Sequence, residues 1–225
     1  MEHTQEDAMR FKDRFEAGRK LADELRKQSL TDPVILAMPR GGVPVGFEVA
    51  RELGAPLDVV VVRKIGAPFQ PELGVGALAE DGEPLLDEGS LERLGLVPDD
   101  LEETIDSERA ELQRRMRRYR GDRPPVAVEG RSAVIVDDGL ATGGSARAAL
   151  QAVRQRGPSR LVLAVPVSPP ETAARLAADA DDLVCLSTPE QFMAVGQWYR
   201  DFDQTSDEEV VELLERAWRE TPVGQ

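Results

Sequence analysis

Apolar residues recur along this chain with two different periods. Between residues 8 and 28, Phe11, Phe15, Gly18, Ala22 and Leu25 fall three or four positions apart, which predicts an amphipathic helix. VILAM at 34–38 shows no alternation, as in a strand buried on both faces. Pro39 and the Gly41–Gly42 pair break that run. A helix is predicted from Pro44 to Leu53, with Pro in its first turn and Gly54 as its stop. LDVVVVR at 57–63 reads as a second buried strand. The Gly- and Pro-containing segment 65–89 could hold short antiparallel strands at 74–80 and 84–87, and it is the best candidate for a mobile loop.

Leu101, Ile105, Leu112, Met116 and Tyr119 mark one face of a long helix at 98–119, with acids early and arginines late, as the helix dipole favours. After Pro124–Pro125 the pattern predicts strand 132–137, helix 143–156 ending at Gly157, strand 160–167, helix 170–179 and strand 182–186. Ser206 with Glu209 forms a capping-box pattern that opens a helix at 207–219. Continuous apolar strands alternating with helices predict an α/β fold, a mainly parallel sheet covered on both faces. Ligands of such sheets bind outside the carboxyl ends of the strands. Here those ends read MPRGG, VRK, VDDGLATGG and VPVSPP.

Composition narrows the function classes. The 225 residues suit a single domain, carry a net charge of −14 and have no apolar stretch long enough to span a bilayer. The charged N-terminus is unlike a secretory signal, and the lone Cys185, read as a core thiol, forms no internal disulfide; a cytoplasmic location fits both. An acidic surface disfavours nucleic acid, so RRMRRYR at 114–120 reads as a solvated helix end rather than a binding patch. His3 is the only histidine, which excludes histidine-based triads and zinc sites. GVGALA at 74–79 matches a dinucleotide pattern without the flanking strand and helix, and no GxxxxGK[ST] sequence is present.

The stretch SAVIVDDGLATGGSARAA at 132–149 carries the most chemistry. A buried run ends in Asp137 and Asp138, two acceptors suited to sugar hydroxyls. GLATGGS follows and opens a helix, whose free N–H groups and dipole, worth about 0.3–1 kcal/mol, attract phosphate. An ordinary strand–helix turn would account for the glycines, but not for two adjacent carboxylates that repel one another unless neutralised.

VIVDDGLATGGS closely resembles the ribose-phosphate signature of type I phosphoribosyltransferases, which use phosphoribosyl pyrophosphate (PRPP). The resemblance implies that fold, with a core at about 30–200, a small variable hood and a flexible loop over about 66–85. It also implies that Asp137 and Asp138 hold the ribose 2- and 3-hydroxyls. Ala141, Thr142, Gly143, Gly144 and Ser145 would cradle the 5-phosphate. MPRGGVPVG at 38–46 resembles the pyrophosphate loop, placing Arg40 and the amides of Gly41 and Gly42 on the diphosphate, joined by Arg63 and Lys64. Arg40 and Lys64 would then be catalytic, stabilising the leaving group. Magnesium would bridge diphosphate and ribose hydroxyls, with Asp137 and Asp138 meeting it indirectly.

The chain departs from the relatives that act on 6-oxopurines at Ala141, where those enzymes carry an additional acid. Glu72, Glu80 and Asp81 could substitute for it or could be solvated loop carboxylates. Phe192, Trp198, Tyr199 and Phe202 could stack an acceptor or could pack the last helix onto the domain. The implied activity is transfer of ribose 5-phosphate from PRPP to a small acceptor that the residues do not name, nucleobases being among the candidates. A non-catalytic PRPP sensor on the same scaffold is the alternative, and an RNA-binding regulator is disfavoured by charge. A homodimer is implied by the resemblance alone.

Overall fold

The computed structural model describes residues 10–80 and 83–221. Five parallel strands form the central sheet: β1 (Val34–Ala37), β2 (Leu57–Val59), β6 (Ser132–Val136), β7 (Arg160–Val167) and β8 (Asp182–Ser187), in the order β2-β1-β6-β7-β8. A separate antiparallel sheet contains β3 (Val62–Ala67), β4 (Gln70–Ala79) and β5 (Leu85–Leu86). The helices are α1 (Arg14–Leu25), α2 (Gly42–Leu53), α3 (Glu88–Leu94), α4 (Glu102–Arg120), α5 (Gly144–Gln155), α6 (Pro170–Leu176) and α7 (Asp207–Glu220). No helix among the described residues is long and apolar enough to cross a membrane.

The unalternating strands have the expected cause, since both faces of the sheet are covered. Ile35, Ala37, Val134, Val136, Val162 and Ala164 face one core with residues of α1, α2, α4 and α7. Their neighbours Val34, Leu36, Ala133, Ile135, Leu161 and Leu163 face a second core with α5 and Leu176 of α6. Alternate strand residues thus enter different cores, and both sets must be apolar.

The run 57–63 is not one strand. Leu57–Val59 pairs with β1, whereas Val62–Ala67 pairs antiparallel with β4. Val60 and Val61 between them are buried in opposite cores, so hydrophobicity stays high while the chain changes sheets. The segment expected as a loop is drawn largely into β4, which begins at Gln70, and the second strand shortens to Leu85–Leu86. The first helix starts at Arg14 because Asp13 caps it, accepting from the Glu16 N–H at 2.7 Å. Phe11 instead bridges to Tyr199. Residues 98–101 form a separate 3-10 turn before α4, and α6 ends at Leu176. Gly54, at φ 62°, ends α2 as predicted, and Ser206 caps α7 through the Glu209 N–H.

Four arginines of the run at the end of α4 meet carboxylates. Arg114 and Arg115 bond Glu111, while Arg118 pairs with Asp207 and Glu208. Arg120 is not solvated. It is buried, donating to Asp58 at 3.0 Å and to Glu80 at 3.0 Å, which ties β2, α4 and the end of β4 together.

Candidate functional site

Strand order creates the site. The chain runs outward from β1 to β2, then returns to place β6 on the other side of β1. The carboxyl-end loops of β1 and β6 therefore diverge from a topological switch point, where open parallel sheets bind ligands. PRGG and DDGLATGG, about a hundred residues apart in the chain, become neighbours there. The Met38 N–H donates to the Val136 carbonyl at 2.8 Å, continuing the ladder to the strand tips.

The glycines of PRGG permit that approach. A Cβ on Gly41 would lie 2.0 Å from Asp138 Oδ2, and one on Gly42 would lie 2.7 Å from the Val136 carbonyl. Any side chain at either position would push the two loops apart. The Pro39–Arg40 peptide is cis. Gly42 donates its own N–H to the Met38 carbonyl at 3.0 Å, so that amide is already engaged within the turn.

Asp137 and Asp138 each use one oxygen to hold the site together. Asp137 Oδ1 accepts from the Asp138 N–H at 2.9 Å, and Asp138 Oδ2 accepts from Arg14 Nε at 2.8 Å. The Tyr199 hydroxyl donates to the Asp138 carbonyl at 2.5 Å. Burial, and then the neighbouring charge of Asp138, push the Asp137 carboxyl well above the usual range. Burial also raises Asp138, with the Arg14 guanidinium acting against the rise. Charge on this pair is therefore unfavourable until cations or hydroxyl donors meet it.

The loop after the acid pair is open and rich in donors. Gly143, at φ 73°, turns the chain into α5 and gives it no side-chain cap. The first N–H groups of a helix have no intrahelical acceptor, so those of α5 remain for a ligand. Ala141, Thr142, Gly144 and Ser145 are exposed, and Leu140 anchors the loop in the core. Helix α6 supports it from below. Thr172 Oγ1 donates to the Ala141 carbonyl at 2.8 Å, and Arg175 donates to the Thr142 carbonyl.

The basic residues are held by carboxylates. Arg40 lies 3.8 Å from Asp207 at the start of α7. Arg63 pairs with Glu108 of α4 at 2.6 Å, and Lys64 lies 3.4 Å from the Glu72 carboxylate while donating to the Glu72 backbone carbonyl at 2.9 Å. VRK thus stands on the antiparallel hairpin and not at the end of a parallel strand as expected. Glu80 is tied to Arg120, the Glu72 side chain is 96% exposed, and Asp81 lies outside the described residues, as does His3.

The aromatics resolve into packing rather than an open stacking face for two of their members. Trp198 and Tyr199 are 7% and 4% exposed. They pack with Phe11, Ala17 and Val167, so their partner is the N-terminal segment, not the last helix. Phe192 is half-buried and stacks on Trp198 at 6.4 Å. Cys185 is also only partly buried, and burial pushes its thiol up to about 11. Sequence reasoning missed Arg14, Thr172, Arg175 and Asp207. Each acts from a helix whose own pattern signals only amphipathic packing.

A family model for the phosphoribosyl transferase domain matches residues 9–202. Two strains of Mycobacterium tuberculosis, CDC 1551/Oshkosh and H37Rv, each carry a protein provisionally named a phosphoribosyl transferase. Each is 51% identical to this chain over 210 residues. The match covers 93% of this chain but 47% of those proteins, so the chain spans about half their length. The crystal structure of TT1426 from Thermus thermophilus is 48% identical and superposes with a TM-score of 0.82. It covers 92% of this chain and 99% of that one.

Proposed function

The chain belongs to the phosphoribosyl transferase domain family, and we propose on that premise that it binds PRPP and transfers its ribose 5-phosphate group to a small acceptor, releasing pyrophosphate. The juxtaposition of the acid pair with PRGG across the switch point carries this reading, because PRPP needs hydroxyl acceptors next to diphosphate donors. The exposed loop 141–145 and the uncapped start of α5 suit the 5-phosphate. Asp137 and Asp138 suit the vicinal hydroxyls, with hydrogen bonds to ionised partners contributing about 1.5–3 kcal/mol each. Arg40 and the Gly41 amide suit the diphosphate.

The donor set fits magnesium carried by the ligand. Asp137 and Asp138 offer oxygens, and no group of three or more acidic, imidazole or thiol side chains stands ready to hold a metal among the described residues. When bound, magnesium would neutralise charge on the diphosphate. In this reading Arg63 and Lys64 exchange Glu108 and Glu72 for the oxygens of the leaving group, and Arg40 exchanges Asp207. Orientation of the anomeric carbon by the two ends of the ligand does the rest. Phe192 and Phe202 remain the half-buried aromatics that could meet an acceptor, since Trp198 and Tyr199 are buried.

Isothermal titration with Mg-PRPP tests the site. Parent protein binds; Asp138→Asn and Thr142→Val weaken binding by at least roughly tenfold, the value of one charge-assisted hydrogen bond or more. Absence of binding by the parent rejects the assignment. A pyrophosphate-release screen over purines, pyrimidines and small amines then separates a transferase from a PRPP sensor, for which binding without turnover is expected.

A further inference from the structure

We propose that Arg14, on the N-terminal helix, is a positioning residue that fixes the orientation in which the Asp138 carboxylate meets the sugar and so determines recognition of a ribose hydroxyl. The inference rests on the reading that the acid pair receives sugar hydroxyls, and it adds a residue outside every motif that suggested that reading.

The guanidinium is fixed from three directions. Its Nε donates to Asp138 Oδ2 at 2.8 Å, its Nη1 donates to the Asp203 carbonyl at 2.7 Å, and its carbon lies 3.8 Å from the centre of the Phe202 ring. Arg14 and Asp138 side chains are only 11% and 14% exposed, so solvent screens the pair weakly. Backbone hydrogen bonds hold the two segments that carry this grip. The Phe11 N–H donates to the Trp198 carbonyl at 2.8 Å, and the Arg200 N–H donates to the Phe11 carbonyl at 2.9 Å.

Asp138 is correspondingly restrained. Arg14 takes Oδ2 on the side where Gly41 leaves room for no more than hydrogen, given the 2.0 Å separation a Cβ would have. Tyr199 fixes the backbone of the same residue through its carbonyl. Rotation about Cβ–Cγ would break the Arg14 bond and swing an oxygen within the crowded space beside Gly41. The oxygen that Arg14 does not hold is the one the carboxylate can offer to a ligand donor. An ordinary surface ion pair would leave the carboxylate free to turn; this one selects an orientation.

The test compares ligands that differ by one hydroxyl. Affinities for ribose 5-phosphate, 2-deoxyribose 5-phosphate, 3-deoxyribose 5-phosphate and inorganic phosphate are measured by calorimetry with magnesium. The parent is expected to prefer ribose 5-phosphate roughly tenfold over the deoxy sugar lacking the hydroxyl that Asp138 holds. In Arg14→Met that preference falls below about threefold, while affinity for inorganic phosphate stays within about twofold of the parent. Arg14→Gln replaces Arg14→Met if the latter does not unfold cooperatively. A variant that keeps the full preference overturns the proposal. So does one that loses ribose 5-phosphate and inorganic phosphate in equal proportion, which marks a purely structural role. A parent that does not distinguish ribose from either deoxy sugar overturns the underlying sugar-hydroxyl reading instead, and is recognised because it appears before any substitution is made.

Discussion

Asp137 shows at residue scale how a binding group can oppose folding. Burial and the Asp138 charge raise its folded-state pKa above the usual value. The protonated form is therefore favoured by folding, and the contribution to stability declines as pH rises from the ordinary carboxylate range through the raised value. The deficit grows with pH across that interval. Asp137→Asn keeps the acceptor for the Asp138 N–H and removes the charge. It should raise Tm by roughly 2–4 °C, the shift that about 1 kcal/mol gives in a protein of this size, while weakening Mg-PRPP binding. A lower Tm at pH 7, read by calorimetry, would contradict the assignment of strain to the pair.

At the scale of elements, α4 combines an apolar face with a neutralised polar one. Leu112, Met116 and Tyr119 are buried, as their spacing predicts, whereas the fate of the arginines depends on what lies opposite. Glu111 bonds Arg114 and Arg115, and those hydrogen bonds hold its carboxyl down to about 2. A depressed folded-state pKa contributes stability above the ordinary value of 4.5, and that contribution disappears as pH falls toward about 2. The side chain is 28% exposed, so solvent limits the effect to less than about 1 kcal/mol. Glu111→Gln should therefore lower the urea midpoint slightly at pH 6 and leave it unchanged near the acid limit. The hairpin teaches a complementary lesson. Its Gly-rich sequence looked like a loop because strand propensity is weak there, and pairing with β3 over Val62–Ala67 supplies what local preference lacks.

At the scale of the whole molecule, the buried Asp58–Arg120–Glu80 network joins the parallel sheet to the antiparallel one. Asp58 is 1% exposed and also accepts from the Val126 N–H at 2.9 Å. Removing the cation leaves buried carboxylates without compensation, a loss of about 3–5 kcal/mol. Arg120→Leu should lower unfolding free energy by that amount in urea titrations, and a change below about 1 kcal/mol would show that the network is not a connector. Terminal segments act at the same scale. The N-terminal helix brings Arg14 to Asp138, and the C-terminal helix brings Asp207 to Arg40, so each touches a loop of the candidate site from outside the sheet.

By itself the sequence determined the alternation of strands and helices, the burial of the sheet on both faces, the caps at Ser206 and Gly54, and the residue types at each strand tip. These are local consequences of periodicity and backbone preference, legible because hydrophobic burial and glycine geometry act over a few residues. Tertiary structure alone decided that β1 and β6 are neighbours, that Val60 and Val61 mark a change of sheet, and that Trp198 and Tyr199 face inward. It also decided that the Asp138 carboxylate meets an arginine from the far end of the chain. Partnership between oppositely charged side chains 124 positions apart depends on how helices pack, and no local pattern in either segment encodes it.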